Sequence, residues 1–394
     1  MLDMATVFGD DMHAALRQYA AEGPTGVDDA TGATIVFRYE DIDRLTRDRR
    51  LAGVGLTFFD LMGITDGPLR DWYGGLMFTN EGATHNRLRA LVSRAFTPRS
   101  VEALRTNAAM LVAEAMATID VDGGGDLVTL FGRIPMRVMC RLLGVPEHDV
   151  PVFADWADAL SATFVFMDDE QIAEATEAIV AMLDYVRALA DVRRDDPGED
   201  LVTALLAAEQ DGEKLSHDEL VAMVANLIVG GHDTTASQLG CTLLTLLRHP
   251  EQTARVREEP ELAASAAAES IRYEPSIWGI PRTVVEPTDV AGTALPAGAM
   301  VVLSTAAANR QEDVWRDPDT FDVARFTEPD APKLLSFGAG PHYCLGAALA
   351  RMTVEEAVRG FASGPALEHA DDPWSVEWRT VLGRSPTSIP VEVA

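Results

Sequence analysis

The sequence predicts a mainly α-helical fold with a minor β portion, in a single domain of residues 1–394. Three observations predict it. A capping box, Ser216-His-Asp-Glu219, stands ahead of an apolar run that meets no stop before His249-Pro250. Unbroken to Arg248, that helix is roughly 45–50 Å long at 1.5 Å per residue, enough to cross a whole domain. Shorter helical segments recur on both sides of it, whereas alternating or proline-punctuated stretches suited to strands occur near 282–304 and 376–393. In chain order, helices are expected over 84–96, 100–119, 127–143, 150–163 and 170–194, then the long one, then 261–273 and 346–362. No Pro/Gly/Ser linker, internal repeat or low-complexity block cuts the chain.

Composition narrows the class. A hydrophobic content of 47% is ample for one large core. Against 62 acidic residues stand 32 basic ones, a net charge of −30, which repels phosphate backbones and anionic lipid and excludes nucleic acid and membrane partners. Only Lys214 and Lys333 are lysines; the arginines suit fixed, bidentate carboxylate contacts. The opening MLDMATVFGDDMH lacks a basic region followed by an apolar stretch, so no signal peptide is expected, and no apolar run approaches a membrane span. Three cysteines at unrelated spacings suggest no disulfide framework. A soluble, cytoplasmic monomer is expected.

The most specific stretch is FGAGPHYCLG, Phe337 to Gly346. It sets one cysteine, Cys344, among Gly338, Gly340 and Gly346, which lack a Cβ and so can take special backbone angles or let a flat group lie against the chain. Amides there could point at the sulfur and stabilise the anion that ligates metal. A lone thiolate without a Cys-x-x-Cys pair or a nearby Cys/His cluster fits poorly with zinc or an iron–sulfur cluster, which need several ligands. It fits haem, whose porphyrin supplies four nitrogens and leaves an axial position to the protein. The alternative is a structural cysteine in a glycine-rich turn; Cys140 in VMCRLL and Cys241 in LGCTLL read as plain core residues.

Phe-x-x-Gly-x-His-x-Cys-x-Gly resembles the cysteine loop of the cytochrome P-450 family, with Phe337, Gly340, His342, Cys344 and Gly346 in its positions. A second stretch agrees. LIVGGHDTTASQ, residues 227–238, lies mid-way along the long helix. Two adjacent glycines there cost about 1 kcal/mol each relative to alanine. Asp233, Thr234 and Thr235 also compete for backbone hydrogen bonds. Gly230 and Gly231 would let a planar ligand approach, and a hydroxyl beside a carboxyl could relay protons; a kinked core helix with hydroxyls bonded to the preceding turn is the other reading. In the family this is the oxygen-binding stretch, small-Gly-x-acid-Thr, matched by Gly230, Gly231, Asp233 and Thr234. The resemblance implies that Thr234 hydrogen-bonds the bound dioxygen and that Asp233 passes protons from solvent.

A third match is Glu269-Ser-Ile-Arg272, whose i,i+3 spacing lets the two side chains pair. Glu102/Arg105 and Glu356/Arg359 share the spacing, and only position in the chain sets 269–272 apart. With Arg325 in FDVARF, these residues are implied to form a structural network behind the haem. Buried propionates need paired cations. His85 and Arg89 in THNRLRALV, Arg282 in GIPRTVV, and His342 stand where family members hold them. Trp315 and Asn309-Arg310 resemble the segment ahead of the loop but receive no role.

The resemblance runs from about residue 84 to the C-terminus in motif order. It implies the single-domain cytochrome P-450 fold, with heme b (iron protoporphyrin IX) between the long central helix and the cysteine loop and Cys344 as the metal ligand. The implied activity is that of a soluble bacterial-type monooxygenase of secondary metabolism, placing one atom of dioxygen in a C–H bond or alkene. Electrons would come from a separate ferredoxin or flavodoxin with its reductase. Such carriers are usually acidic, so a chain of −30 needs a local basic patch, for which Arg87, Arg94, Arg99, Arg105 and Arg351 are candidates. A peroxygenase, dehydratase or isomerase of the same fold is the nearest alternative, and a haem-binding sensor or carrier one of another class; neither needs the Asp233–Thr234 pair. Phe78, Phe166, Ile277, Trp278 and Leu382 are candidate pocket residues and point to an apolar small-molecule substrate.

Overall fold

Helix His217–Arg248 runs for 32 residues without interruption, about 48 Å at 1.5 Å per residue. It starts at the predicted capping box: Glu219 N–H donates to Ser216 Oγ at 3.1 Å and Ser216 N–H to Glu219 Oε2 at 2.8 Å. It stops where predicted, and the next helix, Pro250–Glu258, opens on the proline, which lacks an N–H and cannot continue the turn before it. The computed structural model describes residues 12–208, 212–380 and 383–394. Backbone contacts divide the chain into two units, one of Met1–Ala52, Ala108–Gly132 and Thr235–Ala394, the other of Gly53–Asn107 and Arg133–Thr234.

The first unit holds nearly all the β structure. Its main sheet has the strand order Thr25–Val27, Thr34–Val36, Met300–Leu303, Ile280–Val284, Leu51–Ala52. Only the pairing of Thr34–Val36 with Met300–Leu303 is parallel. In the register of the antiparallel pair, Arg282 stands opposite Val301. Val36, Ile42, Leu51, Val284, Val301 and Leu335 form the core beside this sheet. Helix Met12–Glu22 buries Met12 and Leu16 against Ile35, Phe37 and Ala306. Helices Ala263–Tyr273 and Ala347–Ser363 pack together in the same unit.

The second unit is helical among its described residues: Gly82–Ala95, Ile134–Leu143, Val150–Ser161, Asp169–Asp195 and Leu201–Ala207 accompany the first half of the central helix. The helix expected over 127–143 is two, Leu127–Gly132 and Ile134–Leu143, because Pro135 in the first turn of the latter forces a fresh start. That over 100–119 likewise divides into Pro98–Glu102 and Arg105–Asp122. The N-terminal helix and the strands before residue 53 lie outside the sequence expectation. Those strands are three residues or fewer, too short to carry a period of two.

The N-terminal helix is tied down by charge as well as by packing. His13 Nε2 lies 3.3 Å from Glu274 Oε1, and Arg384 Nη1 donates to the same oxygen at 2.5 Å. Burial, reinforced by Arg310, lowers His13 to about 4 despite Glu274. Burial alone would raise the Glu274 carboxyl, but His13, Arg384 and Arg310 outweigh it and hold it below the usual range. A histidine whose folded pKa is depressed binds fewer protons folded than unfolded, so its contribution is complete above about 6.5 and is lost as pH falls towards 4. Urea midpoints are therefore expected to fall across that window, and His13→Gln to flatten the fall; an unchanged slope would remove His13 as its source.

Candidate active site

Glu269 and Arg272 sit one turn apart on helix Ala263–Tyr273, both at 0% exposure. Arg272 Nε and Nη2 donate to the two Glu269 oxygens at 2.7 and 2.8 Å, the bidentate geometry that a guanidinium favours. Arg325 Nε reaches the same oxygens at 3.0 and 3.1 Å, and Asp322 N–H adds a bond at 3.0 Å. One carboxylate thus answers two guanidiniums. The remaining donors end on carbonyls of irregular chain: Arg272 on Asn309 and Pro318 at 2.9 and 2.8 Å, Arg325 on Arg316 and Thr320 at 2.5 and 2.9 Å.

Asn309 carries this order to the cysteine loop. Its Oδ1 accepts from Leu335 N–H at 3.2 Å, and its Nδ2 donates to Ser336 Oγ at 2.8 Å. Ser336 Oγ in turn donates to the Ile271 carbonyl at 3.1 Å. Phe337 follows directly. Within the loop, Cys344 N–H donates to Phe337 O at 2.9 Å and Tyr343 N–H to Gly340 O at 3.1 Å. Gly338 and Gly340 have φ of +70° and +69°, the left-handed region. A Cβ on Gly340 would also stand 2.8 Å from Thr46 O, and one on Gly338 3.2 Å from Ile280 Cδ1, on the strand of Arg282. Arg351 lies over the Phe337 ring, 4.8 Å from its centre.

Cys344 is exposed, whereas Cys140 and Cys241 are buried. Helix Ala347–Ser363 begins three residues after Cys344 with Gly346 as N-cap, and a Cβ on Gly346 would lie 4.0 Å from the sulfur. The sulfur therefore sits beside the positive end of a 17-residue helix, which favours negative charge there. Burial pushes the Cys140 thiol up to about 12, with Glu147 and Asp149 adding to it, and burial pushes Cys241 up too. Those two remain neutral thiols. His342 is half-buried in the turn Gly340–His342, and Arg282 is half-buried with Nη1 donating to the Pro281 carbonyl at 3.0 Å.

In the second unit the two central glycines differ. A Cβ on Gly231 would stand 2.3 Å from Met139 Cε, so Gly231 lets a core side chain close in. Gly230 is exposed, and a Cβ there would meet nothing within 4 Å. Asp233 is 4% exposed, and Thr234 Oγ1 donates to the Gly230 carbonyl at 2.8 Å. The hydroxyl is thus bonded to the preceding turn, and the helix stays α-helical through it. His232, between them, is buried with Nε2 3.0 Å from Asp158 Oδ1. On helix Gly82–Ala95, His85 is buried with Nδ1 3.4 Å from Asn86 Oδ1, and Arg89 is half-buried one turn on.

Of the apolar candidates, Phe78 is half-buried against Tyr73 and Phe164, and Phe166 is 58% exposed with its ring edge-on to Phe58. Ile277 and Trp278 are half-buried, Trp278 packing on the Met12–Leu16 cluster. Leu382 lies outside the described residues. Arg87 is paired with Glu219 and Arg105 with Glu102, which takes both away from a free basic patch; Arg94 and Arg99 are exposed. Asn309 and Gln238, whose buried amides bond to backbone, were not assigned roles from sequence. Each stands in an apolar run, AAAN and ASQLGCTLL, which is the available signal.

Among the described residues no group of three or more His, Cys, Asp or Glu is arranged to hold a metal ion. The exposed sulfur at a helix N-terminus instead suits a macrocycle that brings its own nitrogens.

Comparison with known proteins agrees. Residues 160–358 match the family model for cytochrome P-450. The 6-deoxyerythronolide B hydroxylase of Saccharopolyspora erythraea is 33% identical over 373 residues, covering 94% of this chain and 89% of that protein. Cyclomarin C epoxidase CymV of Salinispora arenicola is 35% identical over 347 residues, 87% of this chain and 86% of the relative. The crystal structure of CalO2 superposes with a TM-score of 0.91 at 30% identity, covering 99% of this chain and 97% of that one. The chain belongs to the cytochrome P-450 family. It is a monooxygenase with the cytochrome P-450 fold, and the family implies a haem iron cofactor, dioxygen and a redox partner. No helix among the described residues is long and apolar enough to cross a membrane.

Removing the shared carboxylate charge strands two buried guanidiniums. Glu269→Gln is expected to destabilise the fold by about 3–5 kcal/mol, read from denaturant unfolding. A loss below about 1 kcal/mol, the scale of an exposed pair, would show that the network does not hold the fold.

Proposed function

We propose that this single cytochrome P-450 domain is a haem-thiolate monooxygenase that hydroxylates or epoxidises an apolar small molecule, using heme b ligated by Cys344. The exposed sulfur at the N-terminus of helix Ala347–Ser363 carries this reading. Bound there, the haem iron supplies the activation of dioxygen. The residues of the chain do the rest. The helix terminus stabilises Cys344 as the thiolate. Gly346 keeps a side chain away from the sulfur, while Gly338 and Gly340 supply the positive φ and close packing that shape the loop. His85, Arg89, Arg282 and His342 hold the two propionates through charge-assisted bonds.

The open face at Gly230 leaves room for a planar group, with Gly231 packed behind it. Thr234 Oγ1 gives its own hydrogen to the Gly230 carbonyl and so offers lone pairs to a donor on the reacting side. The Asp233 carboxyl passes protons inward from solvent. Glu269, Arg272 and Arg325 act through the loop they position and touch no substrate. Phe78, Phe166, Ile277 and Trp278 are the described apolar candidates for contact with the substrate. Relatives named for a 6-deoxyerythronolide B hydroxylation and a cyclomarin C epoxidation support a natural product of secondary metabolism as substrate. Electrons arrive from a ferredoxin or flavodoxin with its reductase, docking on Arg94, Arg99 and Arg351 of a monomeric cytoplasmic enzyme.

The reduced, carbon-monoxide-bound protein is expected to show the far red-shifted Soret band of thiolate-ligated haem, and Cys344→Ser to lose it. A band at the position of histidine-ligated haem in the unmodified protein would sink the Cys344 assignment. Thr234→Ala is expected to go on consuming reductant while releasing hydrogen peroxide in place of product. Product yield per reductant that stays at the unmodified level would remove the Asp233–Thr234 relay.

A further inference from the structure

We infer that Gln238 is a positioning residue that fixes the backbone of residues 274–276, and with it Ile277, against the central helix, and so helps to decide which ligands fit. This rests on the reading above that Ile277 lines the substrate space.

Gln238 stands one turn beyond Thr234, on the same helix face. It is 7% exposed, and a buried amide needs partners for its donors and its acceptor. Its Nε2 donates to the Glu274 carbonyl at 3.1 Å and to Thr242 Oγ1 at 3.3 Å, and its Oε1 accepts from Ser276 N–H at 3.0 Å. One side chain thus grips both backbone polarities of the segment that leaves helix Ala263–Tyr273. The segment's other side is held by Arg384, whose N–H donates to the Ser276 carbonyl at 2.8 Å and whose Nη1 donates to Glu274 Oε1 at 2.5 Å. The strand that supplies Arg384 rests on the same helical turn. Cys241 Sγ donates to the Arg384 carbonyl at 3.3 Å, and a Cβ on Gly240 would come within 2.9 Å of Ser385 Oγ.

Residues 274–276 are therefore clamped between the helix at 238 and the strand Arg384–Pro386. A leucine or methionine would fill position 238 equally well as core. The amide adds register: its bonds specify where along the helix the segment crosses, and Ile277 is the next residue. Thr234 belongs to the same continuous helix, so the clamp ties a wall of the substrate space to the helix that carries the acid–alcohol pair. Nothing in the chemistry proposed above requires an amide at this position; the bonds to two backbone groups are its reason.

The test uses the haem-loaded protein and Gln238→Met, a substitution that keeps volume and removes all three bonds. Hydrogen exchange of the Ser276 amide is expected to quicken by about tenfold, the effect of one lost hydrogen bond of ordinary strength. Spectral titration with imidazole, which needs only the axial position, is expected to be unchanged within about twofold, while phenylimidazole, which also needs the wall, shifts in affinity by about fivefold or more. Gln238→Glu keeps the acceptor for Ser276 N–H and loses a donor to Glu274 O; it is expected to retain Ser276 protection and shift phenylimidazole less, and it serves if the methionine variant does not fold. Unchanged exchange in the methionine variant overturns the inference, as does faster exchange with both azole affinities unmoved or moving together. An unmodified protein that gives no azole spectrum overturns the cytochrome reading itself, a result distinct from a normal spectrum that Gln238→Met leaves unaltered.

Discussion

A carboxylate with no access to water, shared by two guanidiniums, is the constraint on which the cysteine loop depends. At 0% exposure Glu269 has no water to accept from, and Arg272 and Arg325 take its place as partners. Those two cannot stay buried without carbonyls to take their remaining hydrogens. The carbonyls come from residues 309–320, which form no sheet ladder, so side-chain chemistry orders backbone that regular structure leaves alone. From Asn309 the order passes to Leu335 and Ser336, and so to the first residue of the glycine loop. The place of Cys344 is a long-range product of that one buried acid.

The central helix meets an opposite demand. Around its middle it carries Gly230, Gly231, Asp233 and Thr234, each a poor choice for a helix interior. Val224, Ile228, Leu239, Leu243 and Leu246, all buried, supply the apolar contact that keeps the flanking turns in place. Local propensity is thus violated in one short stretch and satisfied on both sides of it. That is the pattern expected where a chain keeps a shape for chemistry that it would not keep for stability.

What could be read from sequence follows the same division between local and distant causes. The Ser216–Glu219 box, the stop at Pro250 and the glycine-flanked cysteine are written in consecutive residues, and each was legible. The pairing of Thr34–Val36 with Met300–Leu303 joins strands of three and four residues across most of the chain, and no local pattern announces it. The Glu274–Arg384 pair spans 110 positions and lay equally out of reach. The Glu269–Arg272 pair was visible as a spacing shared with two other sites, and only the structure distinguishes a fully buried pair from the exposed one at Glu102–Arg105. Gln238 looked like one polar residue in an apolar run because its partners lie 36 and 38 positions away.

The contrast among the three cysteines bears on how the chain ages in air. Burial keeps Cys140 and Cys241 as neutral thiols out of reach of an oxidant, so neither starts along the path to sulfenic acid or disulfide. Cys344 has both attributes that oxidation selects for, exposure and a setting that favours the anion. Of the three cysteines it is therefore the one open to an oxidant, and it is the sulfur proposed above as the iron ligand. Oxidation of that sulfur would remove the thiolate on which the proposed ligation depends, so the feature that suits Cys344 to a metal is also the one that exposes it to damage.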